Sequence, residues 1–304
     1  MNDLEDHLRP EWRAAAAAQY EKTFPDIWDR MMRSLRASGE DCFFLCGASF
    51  YILLLGGVRI AVDPVFVLPS VRAAIHPRLA ADFDAIDYIL LTHDHADHYS
   101  PETAAVLRDC RALWLVPECM RLGTVYPGRG DFCANGVPEE RIRWLREGDA
   151  LELPGLRLDA FRGLHHYDGG SDGPDSLGYL LSSAEKRILL PGDVRDFRPN
   201  LLPPFCLKDI DLMFAHMYLG AGNAAAYPFT EPLARWARFF SAPQAKTVAV
   251  THLYEWSSPP GRFWDFCHAG AAMDALYALC PETEVLIPVI GRRYRIGTGG
   301  KETR

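Results

Sequence analysis

Apolar positions along the chain follow two regimes. Up to about residue 40 they recur at helical spacing; from Cys42 onward they come as short runs stopped by Gly, Pro or Asp. In the first regime Pro10 suits a first turn and Glu11 to Lys22 is rich in alanine, the best helix former. Asp26 is then expected to cap a second helix through Ile27, Met31, Met32 and Leu35, with Gly39 just past its end. This divides the chain into an N-terminal helical extension, 1–40, and a larger domain, 41–304.

The second regime predicts strands. Phe43 to Leu55 and Val58 to Val62 read as two strands joined at Gly56-Gly57, and the second ends in Asp63-Pro64. Ile86 to Thr92 is a buried-strand run, and Ser100-Pro101-Glu102 starts a helix to about Asp109. Ala112 to Val116 is a further strand. Four later runs each lead into polar residues: Leu156–Phe161 into His165-His166, Arg187–Leu190 into Gly192-Asp193, Ile210–Ala215 into His216, and Thr247–Thr251 into His252. Thr230 to Ser241 is a helix with Leu233, Trp236, Ala237 and Phe240 on one face. The class is α/β, with polar residues at strand ends, where such folds place their sites.

Thr92-His93-Asp94-His95-Ala96-Asp97-His98 carries the chemistry. His93 and His95 are two apart, which at a strand end lets both rings point one way. Asp97 and His98 follow as the chain turns toward the next helix. Three histidines and two aspartates at a buried strand end would repel or desolvate one another without a cation. Imidazole nitrogen and carboxylate oxygen suit zinc, manganese or iron.

Composition narrows the partners. The 304 residues carry a formal net charge of −8, the wrong sign for a non-specific nucleic-acid binder. The most apolar stretch, Phe43 to Val62, is interrupted by Gly47, Gly56, Gly57 and Arg59, so no membrane span is expected. The acidic opening Met1-Asn2-Asp3-Leu4-Glu5-Asp6 lacks the basic-then-apolar start of an export signal, which points to the cytoplasm. The eight cysteines contain no CxxC pair and read as reduced thiols, several of them buried. Cys42 and Cys46 raise a metal reading, but Phe43-Phe44-Leu45 between them looks like strand interior. His7, His76 and His268 read as structural.

His93-x-His95-x-Asp97-His98 resembles the HxHxDH motif of the metallo-β-lactamase superfamily, following an apolar strand and preceding a helix as that motif does. Asp63-Pro64, Gly192-Asp193 and His252 resemble further landmarks of that family in the same order, over about residues 42 to 270. Segments Pro174-Asp175-Ser176-Leu177-Gly178, Gly192-Asp193-Val194-Arg195, Gly222-Asn223 and His252-Leu253-Tyr254-Glu255-Trp256 resemble the branch that includes L-ascorbate-6-phosphate lactonase. His216-Met217-Tyr218 departs from that branch, which tends to have apolar and proline residues there.

The resemblance implies a four-layer αββα sandwich holding two divalent ions, zinc or manganese, with iron an alternative. His93, His95 and one of His165 or His166 would hold the first ion, with His165 favoured; Asp97, His98 and His252 would hold the second, and Asp193 would bridge. Asp97 and His252 would also be catalytic. Asp63 would orient a histidine through its free ring nitrogen. His216, Tyr218, Asn223 and Arg195 are candidates for substrate contact.

The activity implied is hydrolysis of a small polar substrate by a metal-bound hydroxide, most directly a lactone or a phosphate-bearing ester. A phosphodiesterase or nuclease on the same scaffold is the alternative. A di-iron redox protein of the flavin-partnered branch is disfavoured, because a glutamate is typical there where this chain has His95. The partner expected is a small molecule, with neither nucleic acid nor membrane; residues 1–40 either cover the core or serve a homo-oligomer interface.

Overall fold

The computed structural model describes residues 10–122, 132–166, 175–220, 223–225 and 230–297. Fourteen strands form two seven-stranded sheets. The first contains β1 (Cys42–Leu45), β2 (Tyr51–Leu55), β3 (Val58–Val62), β4 (Tyr88–Leu90), β5 (Leu113–Pro117), β6 (Ile142–Leu145) and β14 (Arg293–Arg295), in the order β14-β1-β2-β3-β4-β5-β6. The second contains β7 (Ala150–Leu153), β8 (Leu156–Arg162), β9 (Leu177–Ser182), β10 (Arg187–Leu190), β11 (Leu212–His216), β12 (Thr247–Thr251) and β13 (Glu284–Leu286), in the order β13-β12-β11-β10-β9-β8-β7. Both are mixed. The run β3 to β6 is parallel, as is β10 to β13, while the remaining pairs are antiparallel.

Alternation along these strands builds the layers. Phe43, Leu45, Leu53, Ile60, Val62 and Leu90 face Leu158, Tyr179, Leu181, Ile188, Leu212 and Phe214 between the sheets. The alternate residues Phe44, Ile52, Ala61, Ile89 and Trp114 face outward onto α1 (Pro10–Ala37), α2 (Pro69–Phe83) and α3 (Pro101–Leu107). On the other sheet Leu180, Leu189, Met213, Val248 and Val250 face α4 (Thr230–Ser241) and α5 (Phe266–Leu279). Helix, sheet, sheet, helix is the expected αββα order. Covered on both faces, the inner strands are apolar throughout rather than alternating with polar residues.

Two expected elements differ. Residues 10–37 form one helix, not two, and Asp26 caps nothing. Pro25 sits inside it, flanked by the buried rings of Phe24 and Trp28. Trp28 packs against Phe50, Phe66 and Phe83, and its Nε1–H donates to Asp82 Oδ2 at 2.8 Å. Arg78 donates to the Pro25 carbonyl at 3.2 Å. Such packing overrides the local cost of proline in a helix. Likewise Phe43–Leu55 is two strands, because Gly47, Ala48 and Ser49 allow a turn closed by Cys46 N–H donating to Phe50 O at 2.8 Å. The apolar run hides this break, since β1 and β2 are both fully buried. The helices α2 and α5, and strands β6, β7, β9, β13 and β14, were not expected from the pattern.

Other expectations hold. The Ser100 side chain accepts from Thr103 N–H at 3.2 Å and caps α3. The helix α4 and strand β12 have the expected ends. Cys42 and Cys46 are buried in the core, and burial pushes the Cys46 thiol well above its ordinary pKa. The seven cysteines whose side chains are described are free thiols. His268 is structural, completing a capping box with Asp265 at the start of α5. His76 lies 3.2 Å from Thr103 Oγ1, whereas His7 lies outside the described residues. No helix among the described residues is long and apolar enough to cross a membrane.

Gly178 in β9 lies directly opposite Phe161 in β8, and a Cβ at residue 178 would overlap the Phe161 ring. Gly178→Ala is therefore expected to cost about 1–3 kcal/mol through forced repacking. Urea denaturation should show a lower midpoint with an unchanged slope; an unchanged midpoint would mean the ring has room to move.

Candidate metal centre

The site gathers at one end of the two sheets. It begins at the end of β3, where Asp63 takes the left-handed conformation, φ 47°, which Asp adopts more readily than most residues. Asp63 is 1% exposed, and its carboxylate accepts from Thr92 N–H at 2.8 Å and from Thr92 Oγ1–H at 2.6 Å. It also lies 2.8 Å from His98 Nδ1. A carboxylate only accepts, so His98 keeps a proton on Nδ1 and turns Nε2 inward, where a cation can replace any second proton. Thr92 spends its hydroxyl proton on Asp63, so its oxygen accepts from His93 Nδ1 at 3.0 Å. His93 is thereby held in the same sense, with Nε2 facing the centre.

Two overlapping groups of ligand-type atoms result. The first is His93, His95, His165 and Asp193; the second is Asp97, His98, His252 and again Asp193. Within each group the atoms lie within 4.8 Å of one another. His95 Nδ1 is 2.9 Å from His93 Nε2 and 3.1 Å from His165 Nε2, so three imidazole nitrogens converge. In the second group His252 Nε2 lies 2.8 Å from Asp97 Oδ2, and His98 Nε2 lies 3.1 Å from Asp193 Oδ1.

Backbone geometry sets these positions. Gly192, at φ +70°, turns the chain out of β10 so that Asp193 enters the centre. His252 follows β12 at φ 63°, an arrangement costing about 1–2 kcal/mol for a residue with a Cβ. Its N–H is anchored on Ala48 O at 2.9 Å. Ser49, in the same β1–β2 turn, donates its hydroxyl to the Asp97 carbonyl.

The electrostatics separate the two groups. Burial, reinforced by neighbouring imidazoles, holds His93 well below the ordinary histidine pKa and brings His95 down to about 3. These rings are neutral and offer lone pairs. Burial would also strip His98 and His252, but the carboxylates outweigh it. Asp193, Asp97 and Asp63 hold His98 well above the ordinary value, and Asp193 and Asp97 raise His252 to about 9. Burial works against the charge on Asp193, yet the surrounding His216, His98 and His252 keep its pKa well below the carboxylate range. The protons drawn onto His98 and His252 balance buried negative charge, the balance a cation supplies when it replaces them. Converging imidazoles, two inward lone pairs fixed from behind and two buried carboxylates fit divalent metal ions.

The remaining candidates fall elsewhere. His166 joins neither group: its Nε2 lies 3.6 Å from Asp175 Oδ1. His216, expected to contact substrate, is buried against the cluster, with Nε2 3.5 Å from Asp193 Oδ2. Tyr218, Asn223 and Arg195 line a cavity of about 260 Å³ together with Arg235. There Asn223 spends its amide on Leu219 O at 2.7 Å, and the Arg195 guanidinium lies 5.3 Å from the centre of the Tyr218 ring. Pro174 and Gly222 lie outside the described residues.

Sequence reasoning missed Thr92 and Arg235, and it singled out nothing at Glu255. Thr92 was legible only as the residue before His93. Glu255, three residues after His252, is half-buried, and burial followed by the charge of Asp97 raises its carboxyl pKa.

Residues 58–252 match the model of the family described as a β-lactamase superfamily domain. The chain belongs to the metallo-β-lactamase superfamily. Within the superfamily it is 27% identical over 152 residues to a UPF0173 protein of Pyrococcus furiosus, covering 49% of this chain and 58% of that protein. The chain spans about half the length of the curated relatives it matches. Among solved structures it resembles Igni18, a metallo hydrolase of Ignicoccus hospitalis, with a TM-score of 0.58 and 15% identity over 84% of this chain and 97% of that one. It also resembles CmlA, a diiron β-hydroxylase from Streptomyces venezuelae, with a TM-score of 0.57 and 18% identity over 85% of this chain and 55% of that one. At those identities the likeness shows the superfamily fold.

Asp63→Asn keeps the shape and tolerates the backbone conformation but removes the charge that orients His98. It is expected to weaken metal binding by about 10- to 100-fold while leaving the circular-dichroism spectrum intact. Competition with a chromophoric chelator measures this, and unchanged affinity would show that Asp63 does not orient the ligands.

Proposed function

We propose that this chain is a two-metal hydrolase of a small polar substrate, most directly a lactone or a phosphate-bearing ester. The carrying observation is that Asp193 belongs to both ligand groups, so one carboxylate can span two cations while neutral imidazoles and Asp97 complete each side. In this reading His93, His95 and His165 hold one ion, and Asp97, His98 and His252 the other. Bound there, the ions would acidify a water and polarise the substrate oxygen. In the same reading Asp97 and His252, paired at 2.8 Å, also belong to the catalytic set. The cavity lined by Arg195, Tyr218, Asn223 and Arg235 supports an anionic or strongly polar substrate, since guanidinium groups favour carboxylate and phosphate.

The net charge of −8 weighs against a nucleic-acid substrate. Similarity to the 3-hydroxylase of Streptomyces venezuelae, 26% identical over 237 residues, favours a second reading in which the same ligands hold iron for redox chemistry. Iron in the purified protein together with substrate-dependent oxygen uptake would select it.

Elemental analysis of protein purified without chelator is expected to give about two transition-metal ions per chain. Fewer than about one after reconstitution with zinc and manganese would overturn the reading. His95→Ala and Asp97→Ala should each abolish hydrolysis with little change in circular dichroism, because a large core rather than the metal holds the fold. In water enriched in ¹⁸O, a single turnover of a lactone should place one label in the product acid. Metal-loaded protein that ignores lactones and esters but cleaves phosphodiesters would shift the assignment to the phosphodiesterase alternative.

A further inference from the structure

His216 differs from His93 and His98 in which nitrogen faces the centre with a proton. In those two rings Nδ1 donates outward, leaving the Nε2 lone pair for a cation. In His216 the outward nitrogen accepts: Val194 N–H donates to Nδ1 at 3.3 Å. An imidazole that accepts at Nδ1 carries its proton on Nε2, and a protonated nitrogen cannot ligate a metal. That Nε2 is buried, lies 3.5 Å from Asp193 Oδ2, and has no hydrogen-bond partner among the described residues.

The ring is held from several sides. His216 ends β11, its carbonyl accepting from Trp236 Nε1–H at 2.8 Å. Tyr218 stacks on it at 5.8 Å and 16°, and His252 meets it edge-on at 4.2 Å and 90°. The residue is 4% exposed, so solvent does not readily satisfy the inward N–H.

Resting on the hydrolase reading above, we propose that His216 is not a metal ligand but a fixed hydrogen-bond donor of the active site, offering Nε2–H beside Asp193 to the substrate oxygen that gains negative charge. The substrates this fits are those whose reacting oxygen becomes anionic, a lactone or ester carbonyl or a phosphoryl group. A donor already in place acts in the transition state without reorganisation, and removal of one such donor commonly costs about 10²–10³-fold in kcat.

The test uses the full chain labelled with ¹⁵N and loaded with zinc. Long-range ¹H–¹⁵N spectra, with His216 assigned by its loss in His216→Gln, should show a protonated Nε2 and an unprotonated Nδ1. His216→Ala and His216→Gln should both keep the wild-type metal content. With p-nitrophenyl acetate, γ-butyrolactone and bis(p-nitrophenyl) phosphate as probes, His216→Ala should lower kcat on whichever is turned over by about 10²–10³-fold with KM little changed. His216→Gln, whose amide N–H reaches a similar point, should recover part of that loss. The proposal is overturned by a metal-bound, unprotonated Nε2, by loss of an ion in either variant, or by wild-type kcat in His216→Ala. Turnover of none of the probes by the wild type counts against the hydrolase reading, whereas proton placement is judged separately by the nitrogen signals and metal content.

Discussion

The centre depends on one buried carboxylate that touches no candidate metal position. Asp63 ends β3, and its three contacts reach only Thr92 and His98. Yet those contacts tie the end of β3 to the segment after β4 and fix the direction of two imidazoles. A carboxylate can only accept, so each neighbour must present a proton to it and keep its lone pairs for the other side. The orientation passes through the Thr92 hydroxyl to His93, although His93 never touches Asp63. Replacing Thr92 by an apolar residue of similar shape would break that relay while leaving the motif histidines in place.

Charge balance is the second constraint, and it explains why neighbouring histidines are tuned in opposite directions. Asp97 and Asp193 face His98 and His252 at 2.8–3.7 Å, so proton or cation must stand between them. His93 and His95 meet mostly other imidazoles, and burial leaves them neutral. The same ring chemistry thus offers lone pairs on one side of Asp193 and gathers positive charge on the other. Asp193 is the hinge of this asymmetry because it belongs to both groups.

Much of this was legible in the chain, for identifiable reasons. The strand runs leading into His93, Asp193, His216 and His252 were legible because buried strands leave continuous apolar segments that stop where polar atoms are needed. The choice between His165 and His166 was legible only as a preference for His165. Both follow the same strand, and only the fold shows His165 Nε2 turned toward His95 while His166 points to Asp175. Pairing was also hidden: the break between β1 and β2 is marked only by Gly47 and Ser49 inside a run whose turn and strands alike are buried. Asp26 read as the cap of a second helix because aspartate favours helix starts, but aromatic packing on both sides of Pro25 carries one helix through that position. His216 was visible as a strand-end histidine, whereas its tautomer depends on a backbone N–H from another strand's exit.

The boundary near residue 40 is a boundary of pattern, not of packing. The α1 residues Phe24, Trp28, Met31 and Leu35 belong to the same buried cluster as Phe44, Ile52 and Trp114 of the first sheet. The helix also reaches both turns that frame the centre. Tyr20 donates its hydroxyl to the Cys46 carbonyl at 3.4 Å, beside the turn whose Ala48 and Ser49 anchor His252 and Asp97. Arg13 donates to the Ser258 carbonyl and lies 4.1 Å over the Phe263 ring, while Tyr20 packs 6.0 Å from Trp256. These contacts fall on the segment that follows His252, whose left-handed backbone needs support from outside itself. An element without chemistry of its own thus helps hold the conformation on which the second ligand group depends.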